Sequence, residues 1–187
     1  MGEREVRSAV HDIVITGLFY EDPITRVIDE FVIERGRHRV DVVAINGLMH
    51  AFEIKSANDT LDRLQSQQSS YNKIFDRITL VVDERHVEQA VKIVQPFWGL
   101  IAVGRDGDNV KLDEIWPARQ NYGQDPLALS QLLWREEALK ILQANRLSDG
   151  MLHQPRKRLW QKLAKEVPVE RLKTAVRQTL KYRLHWR

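Results

Sequence analysis

The chain has 187 residues, 43% hydrophobic and 29% charged, ordinary proportions for a globular protein that can bury a sizeable core. It has no cysteine, which excludes disulfides and thiolate metal sites. No stretch approaches the roughly eighteen uninterrupted apolar residues of a membrane span, and the start, Gly2-Glu3-Arg4-Glu5, lacks a signal-peptide profile, so a soluble, cytoplasmic protein is expected.

The net charge of +3 is unevenly spread. From 151 to 187 there are 11 Lys/Arg against 2 Asp/Glu, whereas the rest carries 18 against 24. A basic tail on a mildly acidic body suggests a polyanionic partner.

In chain order, residues 3–15 place Val6, Ala9, Val10, Ile13 and Val14 at helical spacing, and Gly17 and Glu21-Asp22-Pro23 end that helix. Residues 27–34 are rich in β-branched and aromatic types and predict a strand. Arg35-Gly36-Arg37-His38 predicts a turn, and 39–45 and 49–55 predict two further strands around Asn46-Gly47. Asn58 or Asp59 caps a helix expected to run to about Phe75, with Leu61, Leu64, Gln68, Tyr71 and Phe75 along one stripe. A strand over 78–82, a helix over 86–95, a strand over 98–103 and its partner over 109–116 follow, with 104–108 as a turn. Asp125-Pro126 opens a helix expected to reach about Ala144. Residues 150–155 suit a linker, and helices are expected over about 155–166 and 168–184. The expected architecture is an α/β core over 1–122 with a mixed sheet flanked by helices, and a helical extension over 123–187.

Glu53 and Lys55 lie two apart on a strand and project from one face, and Asp41 lies on the neighbouring strand among apolar residues. Charges in such surroundings are costly unless paired. Two carboxylates beside a lysine suit phosphodiester hydrolysis assisted by Mg²⁺ (or Mn²⁺), a hard cation that prefers oxygen ligands. The carboxylates share a face only if paired positions across the hairpin sum to an even number. A two-residue Asn46-Gly47 turn gives an odd sum; a three-residue loop pairing Ala44 with Leu48 gives an even one. The even register also groups Val40, Val42 and Ala44 with Phe52 and Ile54, so a bulged three-residue loop, or a compensating bulge near Asp41, is predicted.

Val40-Asp41, an eleven-residue gap and Glu53-Ile54-Lys55 resemble the signature of the PD-(D/E)xK nucleases, with Val40 where the motif has Pro. Gln67 and Tyr71 resemble the Q-xxx-Y element of that superfamily's RecB-like branch. The wording from Phe52 to Arg63 resembles a small bacterial family within it. The resemblance covers roughly residues 3–103. It implies a restriction-endonuclease-like αβββαβ core, DNA cleavage, metal binding by Asp41, Glu53 and the Ile54 carbonyl, catalysis by Lys55, and an ordering role for Gln67 and Tyr71. It also implies a further acid: Glu5 on the first helix or Glu30 on the preceding strand, which the sequence leaves open. Glu5 can equally be a helix N-terminal acid, Glu30 a solvent-facing residue and Tyr71 a core residue.

DNA is the expected partner, met by a homodimer or a larger nuclease complex. A non-catalytic nucleic-acid-binding module and a nuclease acting on RNA are the alternatives. Arg156, Lys157, Arg158 and Lys162, interleaved with Trp160 in a tail ending at Trp186, suit phosphates and unstacked bases; the other reading is a solvated face on a helix pair packed through Leu159, Leu163, Leu172, Val176 and Leu180. His11, His38, His50 and His86 carry no zinc-ligand spacing.

Overall fold

A computed structural model describes residues 1–186, apart from the side chains of Ile13, Val14, Phe19, Tyr20 and Glu21. The expected core roles of Ile13 and Val14 and the breaker role of Glu21 therefore lie outside the described residues. The N-terminal segment is helical throughout: α1 (Glu3–Ala9), a π-helical stretch (Val10–Ile15) and α2 (Thr16–Glu21). Gly17 thus continues the helix instead of ending it.

Six strands form one mixed sheet in sequence order: β1 (Arg26–Ile33), β2 (His38–Ile45), β3 (Met49–Lys55), β4 (Arg77–Asp83), β5 (Gly99–Asp106) and β6 (Asn109–Trp116). β1, β2 and β3 run antiparallel, β3, β4 and β5 parallel, and β6 turns back antiparallel. The parallel strands are near-continuous apolar runs because helices cover both faces. On one face Val42, Ala44, Phe52, Ile54 and Val81 meet Val6, Val10 and Ile15 of the N-terminal segment. On the other, Val43, Ile45, Ala51, Leu80 and Val82 meet α3 (Leu64–Tyr71), α4 (Val87–Ile93) and the C-terminal helices α5 (Pro126–Ser130), α6 (Arg135–Ala144), α7 (Arg156–Glu166) and α8 (Val169–Lys181). The C-terminal helices thus share one apolar core with the sheet.

The hairpin register has the even parity predicted. Ile45 pairs with Met49 and Val42 with Phe52, across the three-residue loop Asn46-Gly47-Leu48. Gly47 sits at φ +105°, a region closed to most side chains. The loop lies one residue later than the predicted Ala44–Leu48 pairing, but the sum stays even. Val40 is a correction: it packs with Phe31 on the face opposite Val42. Alternation breaks at Asp41, beside Glu30, whose left-handed backbone (φ 55°) interrupts the β1–β2 ladder.

The β1–β2 tip is unusual. Glu34, Arg35 and Gly36 all have positive φ (48°, 60° and 94°). For the two non-glycine residues that conformation costs about 1–3 kcal/mol each.

Two predicted helices are shorter than expected. α3 begins only at Leu64, because the Asp59 carboxylate turns back to accept from the Ser56 N–H (2.7 Å) and hydroxyl (2.6 Å). The expected apolar stripe is nevertheless buried, from Leu61 through Gln68 to Phe75. The helix expected over 125–144 is broken: Asp125 caps α5 through the Ala128 N–H, and α6 starts afresh after Trp134, whose N–H is held by Glu137. Gly104 belongs to β5, and the turn falls at Gly107 (φ 60°). No helix among the described residues is long and apolar enough to cross a membrane.

Candidate active site

Just beyond the β2–β3 ladder Asp41 meets Arg7 of α1 and Glu53 meets Gln67 and Tyr71 of α3. Both carboxylates line a cleft of about 520 Å³ together with Lys55, Gln67, Ile54, Glu30 and Glu3. Glu53 is buried, and its carboxylate is closely held: Oε1 accepts from Lys55 Nζ (2.6 Å) and Gln67 Nε2 (2.5 Å), and Oε2 from the Tyr71 hydroxyl (2.6 Å). Residues 67 and 71 reach one carboxylate because they lie one helical turn apart on the same face of α3. Tyr71 stacks on Trp98 (6.0 Å between centroids), and its phenol is pushed up by burial and by the adjacent Glu53 carboxylate, so it stays a donor. Gln67 Oε1 is buried without a hydrogen-bond partner, an acceptor left over at the cleft.

Asp41 Oδ2 accepts from the Ile54 N–H (2.7 Å). Burial and the Glu53 carboxylate push its carboxyl up to about 7, against the opposing pull of the Ile54 N–H, Lys55 and Arg7.

Among the described residues, Glu3, Glu30 and Asp41 bring carboxylate oxygens within 4.8 Å of one another. The Arg7 guanidinium already lies among them, with NH2 2.6 Å from Glu3 Oε1, 2.5 Å from Glu30 Oε1 and 3.5 Å from Asp41 Oδ1. A cation is thus held where three acids converge, and the all-oxygen donor set suits a hard divalent ion once Arg7 gives way. Arg39 also pairs with Glu30.

Between the two candidate acids, the structure brings Glu30 to the cleft and not Glu5. Glu5 points to the far side of α1 and pairs with Arg105 (2.5 Å). Glu3, two residues earlier, takes the place expected of Glu5. Glu3 and Arg7 lie one helical turn apart, a spacing visible in the sequence and missed there. Also missed were Arg37, Arg39 and Arg63, which line the cleft. Arg37 and Arg39 belong to the segment read only as a turn and a strand start.

The basic tail divides. Arg156, Lys157 and Arg158 are exposed on the first turn of α7, whereas Lys162 is half-buried and pairs with Glu166 (3.3 Å). Lys173, Arg177, Lys181 and Arg183 bond internally to Glu170, Asp76, Asp22 and Glu137. Trp160 is buried and donates to the Leu133 carbonyl (3.0 Å), which corrects its expected role as a stacking platform for bases.

Comparison with known proteins places the chain in a family. The family described as bacteriophage P4 protein cII matches residues 1–187. The chain belongs to the phage P4 cII family. A relative, protein cII of Enterobacteria phage P4, is 29% identical over 93 residues, which are 50% of this chain. The match spans 35% of that relative's length, so the chain covers about a third of it. A protein of unknown function from Silicibacter pomeroyi, SPO1766, is 20% identical with a TM-score of 0.41, covering 72% of this chain and 88% of that one.

Proposed function

We propose that this phage P4 cII family member is a metal-dependent nuclease of the PD-(D/E)xK type on a restriction-endonuclease-like fold, hydrolysing DNA phosphodiester bonds. One observation carries the reading: Asp41, Glu53 and Lys55 converge in one cleft, with Glu53 and Lys55 buried and Gln67 and Tyr71 holding Glu53 in place. Buried charge is seldom the stable choice, and perturbed groups gathered in a cleft mark functional sites.

Asp41, with Glu30 and Glu3 at hand and Glu53 beside them, would hold Mg²⁺ or Mn²⁺. Such an ion lowers the pKa of a bound water and offsets charge on the phosphorane. Lys55 holds the attacking water and offsets the same charge. Gln67 and Tyr71 keep Glu53 aimed into the cleft while Lys55 serves the water. Arg7 acts as counterion to the carboxylates before the metal arrives.

A second reading, a non-catalytic nucleic-acid-binding module, is favoured by Arg7, which already neutralises the acids that a metal would use. Cleavage of linear, circular and single-stranded DNA, and of RNA, with Mg²⁺, Mn²⁺ or EDTA separates the two. Metal-dependent cutting by wild type and its loss in Lys55→Ala and Asp41→Asn is the expected result. Equal cutting by Lys55→Ala would refute the assigned roles, and binding without cutting would favour the module.

A further inference from the structure

The catalytic cleft opens onto a second hollow of the same size, about 520 Å³, between the open edge of β1 and the C-terminal helices. The two share Glu30 and Val32. Val32 is 53% exposed, an apolar saddle between them. Over this saddle stands the left-handed β1–β2 tip, and its backbone sends two arginines apart: Arg37 lines the catalytic cleft, and Arg35 lines the second hollow. There Arg35 lies over the Trp160 ring (5.6 Å to the centroid), and Arg156 over the same ring at 4.6 Å.

The electrostatics of this surface leave a clear remainder. Two of the acids lining the second hollow are paired with cations, Glu30 with Arg7 and Arg39 and Glu34 with Lys73, whereas Asp29 is hydrogen-bonded to His11. Arg183, also in the lining, is paired with Glu137. Arg35 and Arg156, and across the saddle Arg37 and Arg63, have no carboxylate partner among the described residues. Four guanidiniums therefore face solvent along one continuous path with their charge uncompensated. Stacking on Trp160 fixes two of them without neutralising them.

We infer that this path is a binding track for single-stranded nucleic acid, entering the catalytic cleft past Arg37 and Arg63 and leaving over Val32 into the hollow held by Arg35 and Arg156. It rests on the reading of the cleft as a nuclease site. The occupant is a polyanion because the four guanidiniums without a carboxylate partner outnumber the two lining acids without a Lys or Arg partner, Asp29 and Asp59. It is single-stranded because the half-buried Ile28, Leu132 and Trp186 add apolar surface to the hollow that Arg35 and Arg156 line, which suits an unpaired base; a duplex keeps its base faces stacked inside. An extended peptide added to the β1 edge would need no such array of arginines.

The test is fluorescence anisotropy of labelled single-stranded and duplex oligonucleotides in EDTA, where cutting does not intervene. Wild type is compared with Arg35→Ala/Arg156→Ala and with a control of equal charge change on α4 and β6, neither of which lines the path, Lys92→Ala/Lys111→Ala. The double variant should bind single strands about tenfold or more weakly, and the slope of log affinity against log salt should fall by about 1.4, from two phosphate contacts at about 0.7 each. The control should match wild type. Single-strand affinity unchanged in the double variant overturns the inference, as does equal weakening of duplex binding. Failure of wild type to bind either oligonucleotide overturns it too. If wild type binds single strands through these arginines yet cuts nothing with Mg²⁺ or Mn²⁺, the track stands and the nuclease reading falls.

Discussion

Asp41 carries the sharpest consequence of burying charge at this site. In the unfolded chain its carboxyl releases its proton near 3.8; in the fold it keeps it up to about 7, because burial and Glu53 oppose ionisation. The folded state therefore binds more protons than the unfolded chain across that window. The stability this gives is complete below pH 4 and is lost as pH rises through 7. At about 1.4 kcal/mol per pKa unit, the loss reaches up to about 4 kcal/mol. Asp41→Asn, which cannot ionise and can still accept from the Ile54 N–H, should be more stable than wild type at pH 8 in EDTA, with the gap shrinking towards pH 4. Urea unfolding at several pH values measures it. Adding Mg²⁺ at pH 8 should reverse the order, because the cation competes with the proton at Asp41 and binds wild type more tightly as pH rises through 7. A gap that does not change with pH would remove the electrostatic account. Asp41, Glu53 and Lys55 could be read from sequence because charged residues amid apolar ones stand out. Glu3 and Arg7 could not, since on an N-terminal helix rich in charge nothing distinguishes them from solvated neighbours until the β1 backbone places Glu30 against them.

At the scale of elements, the hairpin was legible through its apolar parity and the helices only in part. Register follows from which side chains need burial, and Val42, Ala44, Phe52 and Ile54 fix it. Val40 escaped because no sequence pattern announces a left-handed glutamate in the facing strand. Asp59 was misread because an Asp can cap a helix or close a turn on Ser56, and local sequence does not choose between them. Charge counts likewise do not show which cations are used inside, as α8 illustrates. Asp76 is fully buried and accepts from the Met49 N–H (2.7 Å), from Gln124 (2.6 Å) and from both Nε (2.9 Å) and NH2 of Arg177, tying α8 to the start of β4. Arg177→Met leaves that carboxylate without its cation and should destabilise the fold by about 3–5 kcal/mol. Asp76→Asn in the same chain should restore part of the loss, while single-strand binding stays as in wild type for both. Chemical denaturation and anisotropy together check this. A variant that keeps its stability but loses DNA affinity would return Arg177 to the nucleic-acid face.

For the molecule as a whole, the question is whether the C-terminal helices are an appendage, as the charge shift near residue 150 suggests, or part of the body. Leu159, Trp160, Leu163, Val167, Leu172, Val176 and Leu180 are buried in the same cluster as Phe31, Val43 and Ile78 of the sheet. Fully burying one such side chain is worth roughly 1.5–3 kcal/mol, so together they contribute on the order of 10 kcal/mol or more. That is comparable with the roughly 5–15 kcal/mol by which a domain is stable at all. The charge boundary therefore marks a change of surface and not a domain border. Ending the chain after residue 150 should yield a product without a cooperative unfolding transition and with apolar surface open to a hydrophobic dye. It should also lack single-strand binding and metal-dependent cutting, although Asp41, Glu53 and Lys55 all remain in it. A shortened chain that melts cooperatively and still cuts DNA would mean that α7 and α8 are dispensable to the core. The track would then lose its claim on Arg156, because cleavage would proceed with the helix that carries that arginine removed.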